Sequence, residues 1–241
     1  MREFGDICRD LIRSETLADV GEAFRAGVLE HGYTVSLCPV VSSPPQATRL
    51  QWLFRNLTPA WEKFSDQRKI PLRSPALTTA RRQLAPFSFV EVFDNPALPP
   101  EQQWVWQMTR EWGWQNGFVV PVHGPGGYFS YVSIASPERD LDLRIENRAR
   151  LQMLALLAHD RCSTLSLAGR PDAAPDSSSK LSERELECMR WVAAGKTDWE
   201  IATILVISSS TARFHIENAR RKLDASTRAH GVAILFTRGL L

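Results

Sequence analysis

The feature that most constrains this chain of 241 residues is a break in its pattern. Residues 168–179, AGRPDAAPDSSS, hold Ala, Pro, Ser and Asp with no apolar periodicity. That is the composition of a linker. It predicts two domains, residues 1–167 and 180–241, each of a size that folds around its own core. The bulk numbers agree: 44% hydrophobic and 23% charged residues exclude a disordered chain or a fibre. The net charge of +2 says little about partners, but its distribution says more. Residues 180–241 carry ten Lys or Arg against seven Asp or Glu, a small basic excess that hints at an anionic partner.

The four cysteines, Cys8, Cys38, Cys162 and Cys188, lie far apart without CxxC or zinc-like spacing. They read as reduced, mostly buried thiols. No apolar run reaches the ~18 residues of a membrane span, and the N-terminus has no signal-peptide pattern, so a cytoplasmic location is expected. No metal or other cofactor is expected, and no enzyme. The five histidines (31, 123, 159, 215, 230) have no nucleophile or carboxylate at motif spacing, and no phosphate-binding loop is present.

The large domain alternates helix and strand signals. Ser14 is placed to cap a helix reaching about His31, with Leu17, Val20, Phe24 and Val28 on one face. Thr34–Val41 and Arg49–Asn56 read as strands, and Pro59 opens a helix at its first position. A short helix is expected after Pro75, and another after Pro99-Pro100 with Val105, Met108 and Trp112 on one face. Gly117–His123 and Tyr128–Ser136 read as strands of a hairpin turning at Gly124-Pro125-Gly126-Gly127. Asp140–Leu167 reads as one long helix with Leu141, Ile145, Leu151, Leu154 and Ala158 inward. Antiparallel strands between helices make an α-β-α sandwich, so the fold class is α+β with an all-α C-terminal domain.

That C-terminal segment parses into four helices. Ser182 with Glu185 forms a capping box for the first, which ends at Gly195. Asp198 is placed to cap a second through Leu205. Val206-Ile207-Ser208 make a turn, and a third helix runs from Ser209 to Leu223, with Ala212, Ile216, Ala219 and Leu223 as a buried stripe. Arg213, Phe214, Glu217, Arg220 and Arg221 then lie outward or flanking. A short helix, a tight turn and a longer helix with a basic outer face is the helix-turn-helix layout. The chemistry suits duplex DNA. Ser209, Ser210 and Thr211 sit at a helix N-terminus that can meet a phosphate, and Arg220, Arg221 and Lys222 supply charge. Arg213 can read guanine, Glu217 can accept from cytosine, and Phe214 can meet a thymine methyl. A plain helical bundle with a solvated charged face has the same spacing.

The segment resembles the DNA-binding domain of LuxR-family regulators from end to end, through LSERELECMRW, AAGKTDWEIATIL, TARFHIENARRKL and the terminal GLL. The resemblance implies that the third helix enters the major groove with Arg213, Phe214 and Glu217 as base readers. It also implies a dimer joined through the fourth helix, about Thr227–Arg238, with Ala229, Val232, Ala233 and Phe236 as a seam. Val206 departs from a family position that often holds Gly. A β-branched residue disfavours φ > 0, so the turn either avoids that conformation or carries strain.

Residues 15–167 resemble, more loosely, the autoinducer-binding domain of the quorum-sensing branch. PAWEKF, SPAL thirteen residues after the Trp, PFSF, the run Trp112 to Phe118, VVPV and the Gly126-Gly127 turn carry it. No receiver-like βα repeat is present. The family binds an acyl-homoserine lactone between sheet and helices, and the resemblance implies specific positions. Trp61 matches the lactone-binding Trp. Ser74 stands where the amide-binding Asp belongs. Leu57 and Ser65 stand where Tyr is usual, Phe89 replaces a second Trp, and Ser133 falls where a polar residue meets the ligand. Gly113 and Gly117 match family glycines. Ordinary core packing would also account for Trp61, Phe64 and Phe89, as for Trp104, Trp106, Trp112 and Trp114.

Only three Tyr accompany eight Trp and eleven Phe. Losing the carboxylate at Ser74 removes a charge-assisted hydrogen bond of roughly 1.5–3 kcal/mol. With the Tyr hydroxyls gone as well, a lactone is expected to bind roughly 10²-fold more weakly. The expected function is a small-molecule-responsive, homodimeric regulator of a double-stranded DNA operator. Its signal is not a standard acyl-homoserine lactone. The alternative is a ligand-independent regulator, or an anti-activator that pairs with related regulators.

Overall fold

The computed structural model describes residues 3–41, 50–124, 128–168 and 181–241. Arg49, the turn residues Pro125, Gly126 and Gly127, and the linker at 169–179 therefore lie outside the described residues. The chain forms two compact units, the smaller one containing the last four helices.

The larger unit is built on a five-stranded antiparallel sheet in the order β2-β1-β5-β4-β3. The strands are β1 (Val35–Val41), β2 (Leu50–Asn56), β3 (Phe87–Ser88), β4 (Asn116–His123) and β5 (Phe129–Ser136). The expected hairpin is present, with Val122 opposite Ser130 and His123 opposite Phe129. β4 and β5 are buried on both sides; β4 reads as a near-continuous apolar run, while β5 sets the buried Ser130, Ser133 and Ser136 among its apolar residues. Strand alternation deals their side chains to two cores. Phe118, Val120, Val132 and Ile134 face the first core, with α1 (Phe4–Arg13), α2 (Leu17–Leu29) and α8 (Ile145–Ala168) packed on it. Val119, Phe129, Tyr131 and Ala135 face the second. There the sheet is covered by α3 (Pro59–Arg68), α4 (Ile70–Arg73), α5 (Pro75–Ala80), α6 (Phe89–Phe93) and α7 (Pro100–Glu111). This is the α-β-α sandwich expected. Pro39 sits in an inner strand only because the β1–β2 register shifts between Cys38 and Pro39.

Several local expectations are corrected. α1 was not anticipated; its single stripe, Ile7 and Leu11, is short and surrounded by charge. Ser14 does not cap α2. It ends α1 and donates its hydroxyl to Asp10 O at 2.9 Å, while Thr16 caps α2 in a box with Asp19. Leu17 is partly exposed, and Gly27 joins Val20, Phe24 and Val28 on the inner face. In α7 the buried face is Val105, Trp106 and Thr109; Met108 is half-buried and Trp112 is exposed at the C-cap. α8 begins at Ile145, which is 74% exposed, and its inner stripe is Leu151, Leu154, Ala155, Ala158 and Cys162.

The smaller unit is α9 (Glu183–Ala193), α10 (Asp198–Leu205), α11 (Ser209–Lys222) and α12 (Arg228–Thr237). The Ser182–Glu185 capping box is formed. Gly195 ends α9 at φ 78, a conformation that costs glycine nothing. Ala212, Ile216, Ala219 and Leu223 are all buried, as their spacing required. One cap moves by a residue. Thr197, boxed with Glu200, caps α10, and Asp198 stands at its first helical position.

Candidate functional site

Two sites follow from the sequence, one in each unit. In the larger unit, a cavity of about 70 Å³ lies between the sheet and α3–α7. Leu57, Trp61, Ser65, Ser74, Phe89 and Ser133 all line it. Local structure explains each placement. Thr58 caps α3 and Pro59 fixes its first turn, which puts Trp61 and Ser65, four residues apart, on the buried face. Ser74 caps α5, its Oγ accepting from Ala76 N–H at 3.1 Å. Its hydroxyl is therefore already engaged by the backbone. Ser88 caps α6 in a box with Glu91, which sets Phe89 at the first turn. Gly117 makes room for that ring: a Cβ there would lie 2.4 Å from Phe89 and 2.6 Å from Ile134 O. Ser133 points inward from β5 because it stands opposite Leu37 and Val119.

The wall is apolar and aromatic. Trp61 meets Trp114 at 4.8 Å, Trp112 at 5.2 Å and Phe64 at 5.7 Å between ring centroids. Phe89 stacks on Phe93 at 4.6 Å and meets Trp106 edge-on at 6.0 Å. Trp106 donates Nε1–H to Asp94 at 2.9 Å, which points its polar end away from the rings. Among the described residues, the cavity wall holds no Asp, Glu, Lys, Arg or His. Its polar side-chain groups are all neutral: the hydroxyls of Ser36, Ser65, Ser74, Thr109, Tyr131 and Ser133 and the indole N–H groups of Trp61 and Trp114. Burial pushes the Tyr131 hydroxyl well above its ordinary pKa, so it stays protonated. Of the four Trp at 104, 106, 112 and 114, Trp114 lines the cavity; sequence reading missed Tyr131 and Thr109. Tyr131 was findable, because it lies two residues before Ser133 on the same face of β5.

The second site is α10, its turn and α11. Val206 adopts the left-handed conformation at φ 56 and ψ 49, so the turn carries strain. Ser208 caps α11 and lies 2.7 Å from the hydroxyls of both Ser210 and Thr211. Arg213, Phe214, Arg221 and Lys222 are exposed, with Phe214 at 61%. Glu217 and Arg220 are half-buried and paired with each other at 2.7 Å, and Arg220 also donates to Ala225 O and Ser226 O. Lys222 meets Glu185 at 2.7 Å, and Arg221 donates to Asn218 at 3.0 Å. Arg213 donates Nε–H to Asp198 at 3.0 Å. On α12, Gly231 and Leu235 face inward, while Ala229, Ala233 and Phe236 are exposed and Val232 is half-buried.

Among the described residues, no helix is long and apolar enough to cross a membrane, and no group of His, Cys, Asp and Glu is arranged to hold a metal.

A five-stranded antiparallel sandwich with a buried cavity, followed by a helix-turn-helix unit, defines a class of regulators with separate sensing and DNA-binding parts. Comparison with known proteins gives the family. Residues 20–162 match the autoinducer binding domain, and residues 179–235 match the bacterial regulatory proteins of the luxR family. The chain belongs to the LuxR family, as a quorum-sensing-type transcriptional regulator with a ligand-binding domain and a helix-turn-helix domain. It is 28% identical to the transcriptional activator protein BjaR1 of Bradyrhizobium diazoefficiens, over 97% of this chain and 93% of that protein. It is 39% identical to the quorum sensing-dependent regulator RpaR of Rhodopseudomonas palustris, over 56% of this chain and 53% of that one. Its fold is similar to the crystal structure of Escherichia coli SdiA, with a TM-score of 0.68, 22% identity and coverage of 98% and 97% of the two chains.

Proposed function

We propose that this chain is a homodimeric regulator whose binding to a double-stranded DNA operator responds to an uncharged small molecule other than a standard acyl-homoserine lactone. One observation carries the reading: the positions expected to bind a signal surround one apolar cavity whose wall has no ionisable carboxylate. A ligand amide buried there meets neutral hydroxyls and indole N–H groups, with no carboxylate, and a charged ligand would lose its hydration with no countercharge. The cavity is the sensor, and α11 is the reader in the major groove. Arg213, Phe214 and Glu217 face base edges, with Glu217 shared between a base and Arg220. Ser210, Thr211, Arg220, Arg221 and Lys222 serve phosphates and position the helix. The exposed stripe Ala229, Ala233 and Phe236, with Val232 beside it, supplies the dimer seam. The work is done in the cytoplasm, where the operator is.

A second reading is favoured by the cavity's size. Roughly 150 Å³ accommodates benzene, and this cavity is about half that. A molecule as large as an acylated lactone enters only if rings such as Trp61 and Phe89 move. In a ligand-independent regulator, or an anti-activator pairing with related chains, those rings would complete the core by themselves.

The test is a gel shift with duplexes enriched from a randomised library, with and without solvent extract of the native culture. The first reading expects sequence-selective binding that the extract alters and that Arg213→Ala abolishes. It also expects the extract to raise the melting temperature by several degrees. Selective binding indifferent to every extract would favour the second reading. Absence of any selective binding would remove both.

A further inference from the structure

Asp198 is the residue whose surroundings the family assignment leaves unexplained. It stands at the first helical position of α10, yet Thr197 does the capping, so its carboxylate is not needed by the helix backbone. Its side chain is only 11% exposed. One oxygen accepts from Arg213 Nε on α11 at 3.0 Å. Arg228, at the start of α12, reaches the same oxygen with one amino group at 3.0 Å and the other oxygen with its second at 2.7 Å. One carboxylate therefore joins three helices through two guanidinium groups. The hydrogen bonds from Arg228 and Arg213 hold its pKa below the ordinary carboxylate value, so the link persists at neutral pH.

The geometry at Arg213 is specific. Asp198 takes the Nε edge, and the side chain is 71% exposed. The two terminal amino groups remain available, and a fork of two N–H groups is what guanine O6 and N7, or a phosphate, receive. A long side chain free in solution pays rotamer entropy when it is fixed on a base. One already held at Nε pays less. Because a single negative charge serves two positive ones, the cluster keeps a net positive charge toward an anion.

We propose that Asp198 is a positioning residue for sequence reading: it holds Arg213 in a base-reading posture and ties that posture to α12 through Arg228. This rests on the reading of α11 as the recognition helix. It goes beyond it by assigning specificity to a residue that need not touch DNA.

The experiment uses full-length protein and two duplexes: the sequence enriched by wild type from a randomised library, and a mixed-sequence duplex at the same salt. The readout is the ratio of the two affinities. Asp198→Asn is expected to lower that ratio roughly two- to tenfold. Affinity for the mixed duplex should stay level or rise, because a negative charge is gone. Arg213→Lys, which lacks Nε–H, should also lower the ratio. The double variant should be no worse than Arg213→Lys alone, since Asp198 acts through that side chain. An unchanged ratio in Asp198→Asn, or effects of the two substitutions that multiply, overturns the proposal. Circular dichroism checks folding, and Asp198→Glu carries the same cycle if Asp198→Asn unfolds. Should wild type enrich no sequence at all, the DNA-reading function itself fails and takes this proposal with it.

Discussion

Val206 closes α10 with φ 56, and its side chain is 89% exposed. The left-handed conformation costs an L-residue roughly 1–2 kcal/mol, and β-branching makes it worse. No packing offsets this, because the side chain stands in solvent. Val206→Gly removes the strain, but glycine brings extra unfolded-state entropy of roughly 0.5–1 kcal/mol. The net expectation is a stabilisation of about 0.5–1 kcal/mol. For a unit of this size, that raises the melting temperature by about 2–8 °C. Differential scanning calorimetry of the full chain measures the shift, and hydrogen exchange of the α10 and α11 amides localises it. A melting temperature unchanged or lowered, with no gain in protection, would refute the strain argument. It would mean that the turn prefers this backbone for a reason other than its neighbours' geometry.

Gly117→Ala should destabilise the larger unit by about 1–3 kcal/mol, read from urea unfolding, because the new methyl collides with Phe89 and with Ile134 O. An unaltered midpoint would show that the ring yields freely. Glu185 accepts from Lys222 and from Ser182 N–H, and these bonds outweigh the upward push of burial, so its pKa lies below its ordinary 4.5. A depressed folded-state pKa gives stability that is present above pH 4.5 and lost as pH falls below it. Glu185→Gln should therefore flatten the acid limb of the smaller unit's stability profile, and an identical limb in both proteins would contradict this. Ser74→Asp keeps an N-cap residue while restoring a carboxylate at the cavity. Isothermal titration with octanoyl-homoserine lactone should show affinity raised roughly 10- to 100-fold over wild type, and equal binding would undo the assignment of that position.

Patterns enforced by burial were the legible ones. The stripe Ala212, Ile216, Ala219 and Leu223 could face only one way, and the paired strands β4 and β5 were visible as apolar runs beside a glycine-rich turn. Caps were legible in kind but not in place. Ser14 and Thr16, or Thr197 and Asp198, are near neighbours with similar oxygen chemistry, and only the reciprocal boxes with Asp19 and Glu200 decide between them. Ile145 and Trp112 fit a helical period yet lie at helix ends, where the core has already passed. At the cavity, the family resemblance pointed to six positions that line one space, but Tyr131 required knowing which face of β5 turned inward. The ion pairs that bind Arg213 and Lys222 to Asp198 and Glu185 were not readable, because they join residues 15 and 37 positions apart.

The central claim is that the sensor answers to an uncharged molecule lacking the usual lactone. Mass spectrometry of the small molecules released from protein purified from its native cells tests this most directly. The expected result is one neutral compound, near one per protomer, that is not an acyl-homoserine lactone. Stoichiometric release of an acyl-homoserine lactone, or no released molecule from protein that binds its operator fully, would contradict it.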